Sequence, residues 1–199
     1  MFSVNKLLAL LAITLVLFSC KNESNDSSSS SEEKKVEKKA IVQTPEMKKQ
    51  INSVMTKAMV TPELKTFSSA IVSAGLTEVL SNEEGPFTLL APSNDAFSAI
   101  DQSDFNRLLD PNNKGKLTQM LKNHIVKGDI DSATLVQNIK SGNGNYTLET
   151  LSGAKLIASM KGADIVIKDS NGTEAVLGKS DIKGSNGVVH VLDTILGSY

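Results

Sequence analysis

The sequence predicts an α+β domain, with N-terminal helices packed on a mostly antiparallel β-meander. In the first part of the chain, apolar residues recur every three or four positions, which is the period of an amphipathic helix. In the second part, short apolar runs alternate with turns that contain glycine, which is typical of antiparallel strands. Helices that precede strands favour an α+β fold over an alternating α/β fold, and the sequence has no internal repeat.

The N-terminus is predicted to be a signal peptide, residues 1–19. An apolar run from Leu7 to Phe18 is too short to span a membrane, which takes about 20 residues. The run ends in Leu17-Phe18-Ser19-Cys20, which resembles the bacterial lipobox. The resemblance implies a diacylglycerol on the Cys20 sulfur, cleavage after Ser19 and acylation of the new N-terminus. The alternative is an ordinary secretory signal with an incidental cysteine.

Residues 20–45 are predicted to be a disordered tether between the lipid and the folded domain. The segment from 21 to 45 contains five Lys, five acidic residues and six Ser. Such a composition cannot bury enough apolar surface to offset the entropy of the chain. Residues 46–199 then form one domain without an internal disulfide, because Cys20 is the single cysteine of the chain.

Two helices are expected at the start of the domain. Met47, Ile51, Met55 and Met59 are spaced by four and predict one helix with a single apolar face. A second helix is expected to begin at Thr61-Pro62 and to end at Gly75. Its apolar stripe is Leu64, Phe67, Ile71 and Val72.

A buried strand and two further helices are expected next. Residues 87–91 (FTLLA) form a short apolar run between two prolines, which favours a buried strand. Helices are predicted near residues 103–109 and 113–123, the second with Leu117, Met120, Leu121 and His124 on one face.

Strands are predicted from Tyr146 to the end of the domain. The apolar runs are 146–151, 155–160, 164–169, 173–178 and 188–196. The last run is almost unbroken, so we expect it to be covered on both faces. Because it closes the chain, we also expect it to pair with strands formed earlier and to lock the meander onto the helices.

Three segments in the right order resemble the fasciclin domain family. Residues 85–97 (GPFTLLAPSNDAF) are similar to its first conserved box, with Thr88, Pro92, Asn94, Asp95 and Phe97 as structural motif residues. Pro92 would end the strand, Ser93 or Asn94 would cap the next helix, and Asp95 would suit the positive end of that helix. Phe97 would pack inward.

The other two segments are residues 121–128 (LKNHIVKG) and 184–196 (GSNGVVHVLDTIL). The first is similar to the family's Tyr-His segment at a helix-to-strand junction, with His124 in place and Asn123 where tyrosine is common. The second is similar to the family's second box, with Gly187, His190 and Asp193 as motif residues. The resemblance extends over the predicted domain.

The resemblance implies an adhesion or binding role for a matrix, a cell-surface protein or a polysaccharide. We therefore expect a lipid-anchored module of the cell envelope, at the outer membrane or cell surface, whose partner is an extracellular or envelope protein or polysaccharide. The alternative is an accessory envelope protein that carries a small ligand or supports an enzyme complex. A net charge of −1 without a basic stripe argues against nucleic acid as a partner.

No enzyme activity, cofactor or metal site is predicted. His124 and His190 lie among aliphatic residues without a carboxylate or second histidine at ligand spacing, which favours structural roles. No G-x-S-x-G pattern is present, and Gly178-Lys179-Ser180 lacks the preceding glycine of a phosphate loop.

Two triplets, Asp131-Ser132-Ala133 and Asp193-Thr194-Ile195, resemble an acceptor for bacterial O-glycosylation. Ser132 is expected at the start of a helix and is the possible acceptor. Asp193-Thr194 is expected to be buried in the last strand, where a glycan would not fit.

Overall fold

The computed structural model describes residues 44–82 and 85–197, which contain helices and two four-stranded sheets. Short 3₁₀ turns are found at Pro62–Leu64 and Pro111–Asn113. The helices are α1 (Pro45–Ile51), α2 (Val54–Val60), α3 (Lys65–Ala74), α4 (Thr77–Asn82), α5 (Asn94–Ser98), α6 (Gln102–Leu109), α7 (Lys114–Lys122) and α8 (Ser132–Ser141). The strands are β1 (Phe87–Pro92), β2 (Ile125–Lys127), β3 (Asn145–Glu149), β4 (Lys155–Lys161), β5 (Asp164–Lys168), β6 (Glu174–Val176), β7 (Ile182–Gly184) and β8 (Gly187–Leu192). The predicted α+β class is therefore confirmed. The predicted signal peptide and most of the tether lie outside the described residues.

The second sheet is the predicted meander, with the order β3-β4-β5-β6. Each strand pairs antiparallel with its neighbour in sequence, and Ile157 for example lies between Thr147 and Lys168. Tight turns join the strands. Gly162 has a φ of 66° in the turn between β4 and β5, a left-handed conformation that favours glycine.

The first sheet has the order β2-β1-β8-β7. The last strand therefore pairs with strands that precede it in the chain, as predicted, but it lies outside the antiparallel meander in which it was expected. β8 lies parallel to β1, with Phe87 beside Gly187, and antiparallel to β7. The strand ends at Leu192, so the apolar run from 188 to 196 is longer than the strand. A parallel partner from far along the chain leaves no local periodicity in the sequence.

The last strand is covered on both faces, as predicted, because it separates two apolar cores. Val189 and Val191 pack among α2, α3 and α7, whereas Leu192 packs with α8 and the meander. β1 alternates in the same way, since Leu89 belongs to the first core and Leu90 to the second. All six residues of each strand are buried. The two central strands thus support both halves of the domain.

The single helix predicted from the methionine spacing is wrong, because the chain forms α1 and α2 with a break at Asn52-Ser53. The Ser53 side chain caps α2 by accepting a hydrogen bond from the Thr56 N–H at 3.3 Å. Met55 is buried, whereas Met47, Ile51 and Met59 are exposed.

The helix predicted to end at Gly75 is confirmed, with one correction. Gly75 has a φ of 77° and terminates α3. Phe67 and Ile71 are buried, but Val72 is 51% exposed. Adjacent helical residues point about 100° apart, so Ile71 and Val72 do not both face the core.

Candidate binding surface

The corner after β1 is built as the first motif predicts, and Ser93 is its cap. The Ser93 Oγ accepts a hydrogen bond from the Ala96 N–H at 3.1 Å, and Pro92 ends the strand. Asp95 is exposed in the first turn of α5. Phe97 is buried and meets the ring of Phe105 edge-to-face at 5.9 Å. This corner joins the first sheet to the helices.

Asn94 does not cap α5 but connects it to the start of α3. Its side-chain oxygen accepts from the Thr66 N–H at 3.0 Å, and its Nδ2 donates to the Pro62 carbonyl at 2.9 Å. One backbone group in the 3₁₀ turn before α3 and one in the first turn of α3 are thereby satisfied by a residue 28 or more positions along the chain.

Thr88 fastens the loop that follows β2. Its buried hydroxyl donates to the Gly128 carbonyl at 2.7 Å and accepts from the Ile130 N–H at 2.9 Å. The side chain therefore uses its hydrogen-bonding capacity for positioning backbone, which is a structural use of this motif residue.

His124 connects the end of α7 to the segment after β8. Its Nδ1 lies 3.0 Å from the Met120 carbonyl and its Nε2 accepts from the Leu196 N–H at 3.0 Å, so the ring proton is on Nδ1. Complete burial lowers its pKa to about 4, and the ring is neutral near pH 7.

His190 has the opposite tautomer at the centre of the first sheet. Its Nε2 donates to the Ile130 carbonyl at 2.8 Å, and its Nδ1 accepts from the Asp181 N–H at 3.3 Å. Burial lowers the pKa of His190 as well. Backbone groups therefore engage both ring nitrogens of each histidine.

Asn186 and Gly187 shape the turn from β7 into β8. Gly187 has a φ of 142°, and a Cβ there would lie 1.8 Å from the Phe87 carbonyl oxygen. Asn186 is buried and binds two helices. Its Oδ1 accepts from the Val54 N–H at 2.8 Å and its Nδ2 donates to the Leu80 carbonyl at 2.9 Å.

Asp193 and Thr194 are not buried in the last strand, contrary to the prediction. The strand ends one residue earlier, Asp193 is exposed and Thr194 is half-buried. The Asp193 carboxylate accepts from the Val176 N–H at 2.7 Å and thereby connects the end of β8 to β6. Burial therefore does not exclude modification of Thr194.

Ser132 is the first residue of α8, where it was expected, and Asp131 caps the helix. The half-buried Ser132 hydroxyl donates to the Asp181 carboxylate, and its N–H donates to the same group at 2.8 Å. A glycan at Ser132 would break the first bond. Its modification stays a prediction, and Cys20 lies outside the described residues.

Within residues 44–82 and 85–197, no group of three or more His, Cys, Asp or Glu side chains is placed to hold a metal ion. The helices of the same residues are also too short or too polar to cross a membrane.

A groove lies where an edge of the first sheet meets an edge of the second. β2 and the residues directly after β3 touch at the bridge between Val126 and Thr150, and the Leu151 N–H donates to the Ile125 carbonyl at 2.7 Å. Since the two strands belong to different sheets, they do not continue as one ladder. The gap forms a cavity of about 600 Å³ that is partly open to solvent. It is lined by Val126, Lys127, Ile130, Tyr146, Thr147, Leu148, Glu149, Thr150, Leu151 and Gly153.

The groove combines apolar, charged and backbone groups. Tyr146 is half-buried and packs against the second core, while Lys127 and Glu149 are exposed and carry opposite charges. Both walls are edge strands, and outward backbone groups other than the Ile125 carbonyl, which Leu151 engages, can pair with an added strand. The groove has no signal in the sequence, because its two walls come from distant segments and no local pattern indicates that they diverge.

Comparisons with known proteins give a family model, curated relatives and a solved structure that match the domain. The model of the fasciclin domain family matches residues 62–198. Protein sll1483 of Synechocystis sp. is 36% identical over 148 residues, which cover 73% of this chain and 74% of that protein. Transforming growth factor-beta-induced protein ig-h3 of Sus scrofa is 36% identical over 66% of this chain but only 17% of its own length. The solved FAS1 domain pair from the insect cell adhesion molecule Fasciclin I has a TM-score of 0.56 and 25% identity, over 68% of this chain and 45% of that chain.

Proposed function

Because the chain belongs to the fasciclin domain family, we propose that it is a binding module of the cell envelope that is tethered to a membrane through Cys20. Its partner is an extracellular or envelope protein or polysaccharide. Fasciclin I, a cell adhesion molecule, has the same fold, which supports an adhesive role for this domain.

The groove between β2 and β3 is the observation that supports this proposal best. It offers two strand edges, an apolar floor that includes Ile130, and one aromatic ring with a hydroxyl at Tyr146. An extended polypeptide could pair with a strand edge, and a sugar ring could pack on the tyrosine. Binding, and not chemistry, is what these groups are suited to.

A catalytic role is not proposed. The side chains of the polar motif residues Thr88, His124 and His190 form hydrogen bonds to backbone groups inside the domain. A general base must reach a substrate proton, and the two histidines are fully buried.

Carriage of a small ligand is less well supported than binding of a polymer. Small-molecule sites bury most of their ligand in a concave, largely apolar pocket. The groove is instead partly open, and charged side chains lie at its margin.

The groove can be tested by photo-crosslinking on intact cells, with p-benzoylphenylalanine in place of Tyr146. A matched probe replaces Leu109 on α6, which is 40% exposed and lies outside the groove. We expect a discrete adduct at position 146 and none at position 109. Equal adducts at both positions, or none at position 146, would contradict a binding role for the groove.

The anchor is tested separately by Cys20→Ala. We expect the variant to leave the membrane fraction for the soluble extracytoplasmic fraction and to lose incorporation of labelled fatty acid. Unchanged partitioning of the variant into detergent would show that the lipobox resemblance is misleading.

A further inference from the structure

Helix α1 is not packed into the domain. None of its seven residues is buried, and Met47 and Ile51 are 41% and 47% exposed. These two side chains are four positions apart and therefore lie on the same side of the helix. The match to the family model begins only at Pro62, after α1. The helix is thus an appended element with an apolar side that the described residues do not cover.

Backbone contacts nevertheless hold α1 in a defined place. The Ser185 hydroxyl donates to the Lys49 carbonyl at 2.6 Å, and the Ser185 N–H donates to the Asn52 carbonyl at 2.7 Å. The Thr56 hydroxyl donates to the Gln50 carbonyl at 2.9 Å. A helix of this length is marginal in water on its own. The Thr44 cap stabilises its first turn, and the bonds to Ser185 and Thr56 hold it against the domain.

Exposed apolar residues are concentrated in α1 and α2. Among the described residues, eight large apolar side chains are exposed, and four of them lie in α1 and α2. They are Met47, Ile51, Met59 and Val60.

Positive charge is concentrated in the same part of the chain. Residues 34–57 contain seven lysines and two glutamates, a net charge of +5, whereas the whole chain has a net charge of −1. The remainder is therefore −6. Lys48 and Lys49 are exposed on α1, and the Lys57 Nζ lies 3.4 Å from the side-chain oxygen of Asn52 at the end of α1.

We propose that α1 is a membrane-contact helix that lies on an anionic lipid surface, with Met47 and Ile51 in the interface and Lys48 and Lys49 at the phosphates. The inference rests on the proposed lipid anchor, which would hold α1 within 24 residues of the bilayer. A lipid anchor joined through a tether of this length gives a local concentration of order mM, at which a weak second contact is occupied. A basic helix with exposed apolar residues is suited to that contact. The contact would fix which side of the domain faces outward.

The contact can be tested with the full lipidated chain in vesicles of phosphatidylcholine and phosphatidylglycerol. Acylation consumes the thiol of Cys20, so one introduced cysteine can be labelled specifically with an environment-sensitive fluorophore. Ile51→Cys places the label on α1, and Ile157→Cys places it on the meander at a side chain of similar exposure, 47% against 42%.

We expect the label at position 51 to shift to the blue and to be quenched by spin-labelled lipid, and the label at position 157 to do neither. Equal quenching at both positions, or no quenching at position 51, would overturn the proposal. Mass spectrometry of the N-terminal peptide reports the anchor itself. A lipidated chain without quenching at position 51 refutes the contact and leaves the anchor standing.

A charge experiment uses the same reporter and also works if the anchor is absent. Lys48→Gln with Lys49→Gln should lower the vesicle partition of the Cys20→Ser chain about 25-fold, since each basic residue near an anionic surface contributes about fivefold. The matched control is Lys116→Gln with Lys140→Gln, which removes two exposed lysines elsewhere on the domain. Equal losses in the two variants would refute a specific contact of α1.

Discussion

In the second sheet, each strand pairs with its neighbour in sequence, whereas in the first sheet the central pair joins Phe87 to Gly187. The meander is therefore local, and the first sheet depends on residues that are far apart in the chain. Loop closure must be completed before distant pairs contribute to stability. The comparison indicates that the first sheet determines whether the domain folds, while the meander tolerates local change.

The largest expected effect is that of truncation after Gly187, which removes all of β8 beyond its first residue. The buried apolar side chains lost contribute about 1.5–3 kcal/mol each, and total stability is about 5–15 kcal/mol. These side chains are Val188, Val189, Val191, Leu192, Ile195 and Leu196. We expect circular dichroism to show no cooperative melt in the shortened chain. A melt near that of the full chain would mean that β8 is dispensable to the core.

A pair of glycine substitutions sharpens the comparison. Gly187→Ala should cost more than about 4 kcal/mol, because its Cβ would lie 1.8 Å from the Phe87 carbonyl oxygen and would separate β8 from β1. Gly162→Ala in the meander should cost about 1–2 kcal/mol, because φ is 66° but no atom lies within 4 Å of the new Cβ. Urea titrations of both variants measure the difference. Similar losses would show that the two sheets are equally sensitive.

Acid should lower the free energy of unfolding through the protonation of His124. Its pKa is lowered from 6.5 to about 4 by burial, so between these values the unfolded chain binds a proton that the folded chain does not. The stabilisation is complete above pH 6.5 and falls by about 3 kcal/mol as pH decreases to 4. Protonation would also set a second N–H against the Leu196 N–H.

The measurement is the slope of unfolding free energy against pH, compared with that of His124→Gln. We expect a smaller slope in the variant between pH 6.5 and 4, whatever its stability at neutral pH. An unchanged slope would show that His124 does not titrate in this range. Hydrogen bonds from Thr134 and Lys183 lower the pKa of Asp131 to about 2. Its contribution to stability is therefore lost at a lower pH than that of His124.

The smallest expected effect is in the meander. Lys161→Gln removes an ion pair with Glu174 at 3.3 Å, in which the two side chains are 77% and 43% exposed. Exposed pairs are screened, so we expect a change of less than about 0.5 kcal/mol in a urea titration. A loss above about 1 kcal/mol would mean that the outer face of the meander contributes more than its local pairing suggests.

The same contrast explains which elements the sequence could predict. β1, α6, α7 and the meander follow from local periodicity and turn residues, and so does the Ser93 cap. The parallel pairing of β8 with β1 has no local signal. The Met47–Met59 spacing was misleading because Ser53 is a cap inside an apparently continuous pattern.

The candidate site was less predictable than the fold. The three motifs indicated residues such as Thr88, His124 and Gly187, which organise backbone within the domain. The groove is instead defined by the divergence of β2 from β3, a property of how two sheets meet. Asn186 could have been recognised only with knowledge of the helix ends that it binds.

The central position of β8 also has a consequence for the order in which the protein is made. Every other strand leaves the ribosome before β8, so the nascent first sheet has a vacant slot between β1 and β7. Neither core is complete at that stage, since β8 supplies side chains to both. The polypeptide therefore lacks a complete tertiary structure until β8 has been synthesised. A chain whose folding is delayed in this way can still pass through a translocation channel that accepts only unfolded polypeptides.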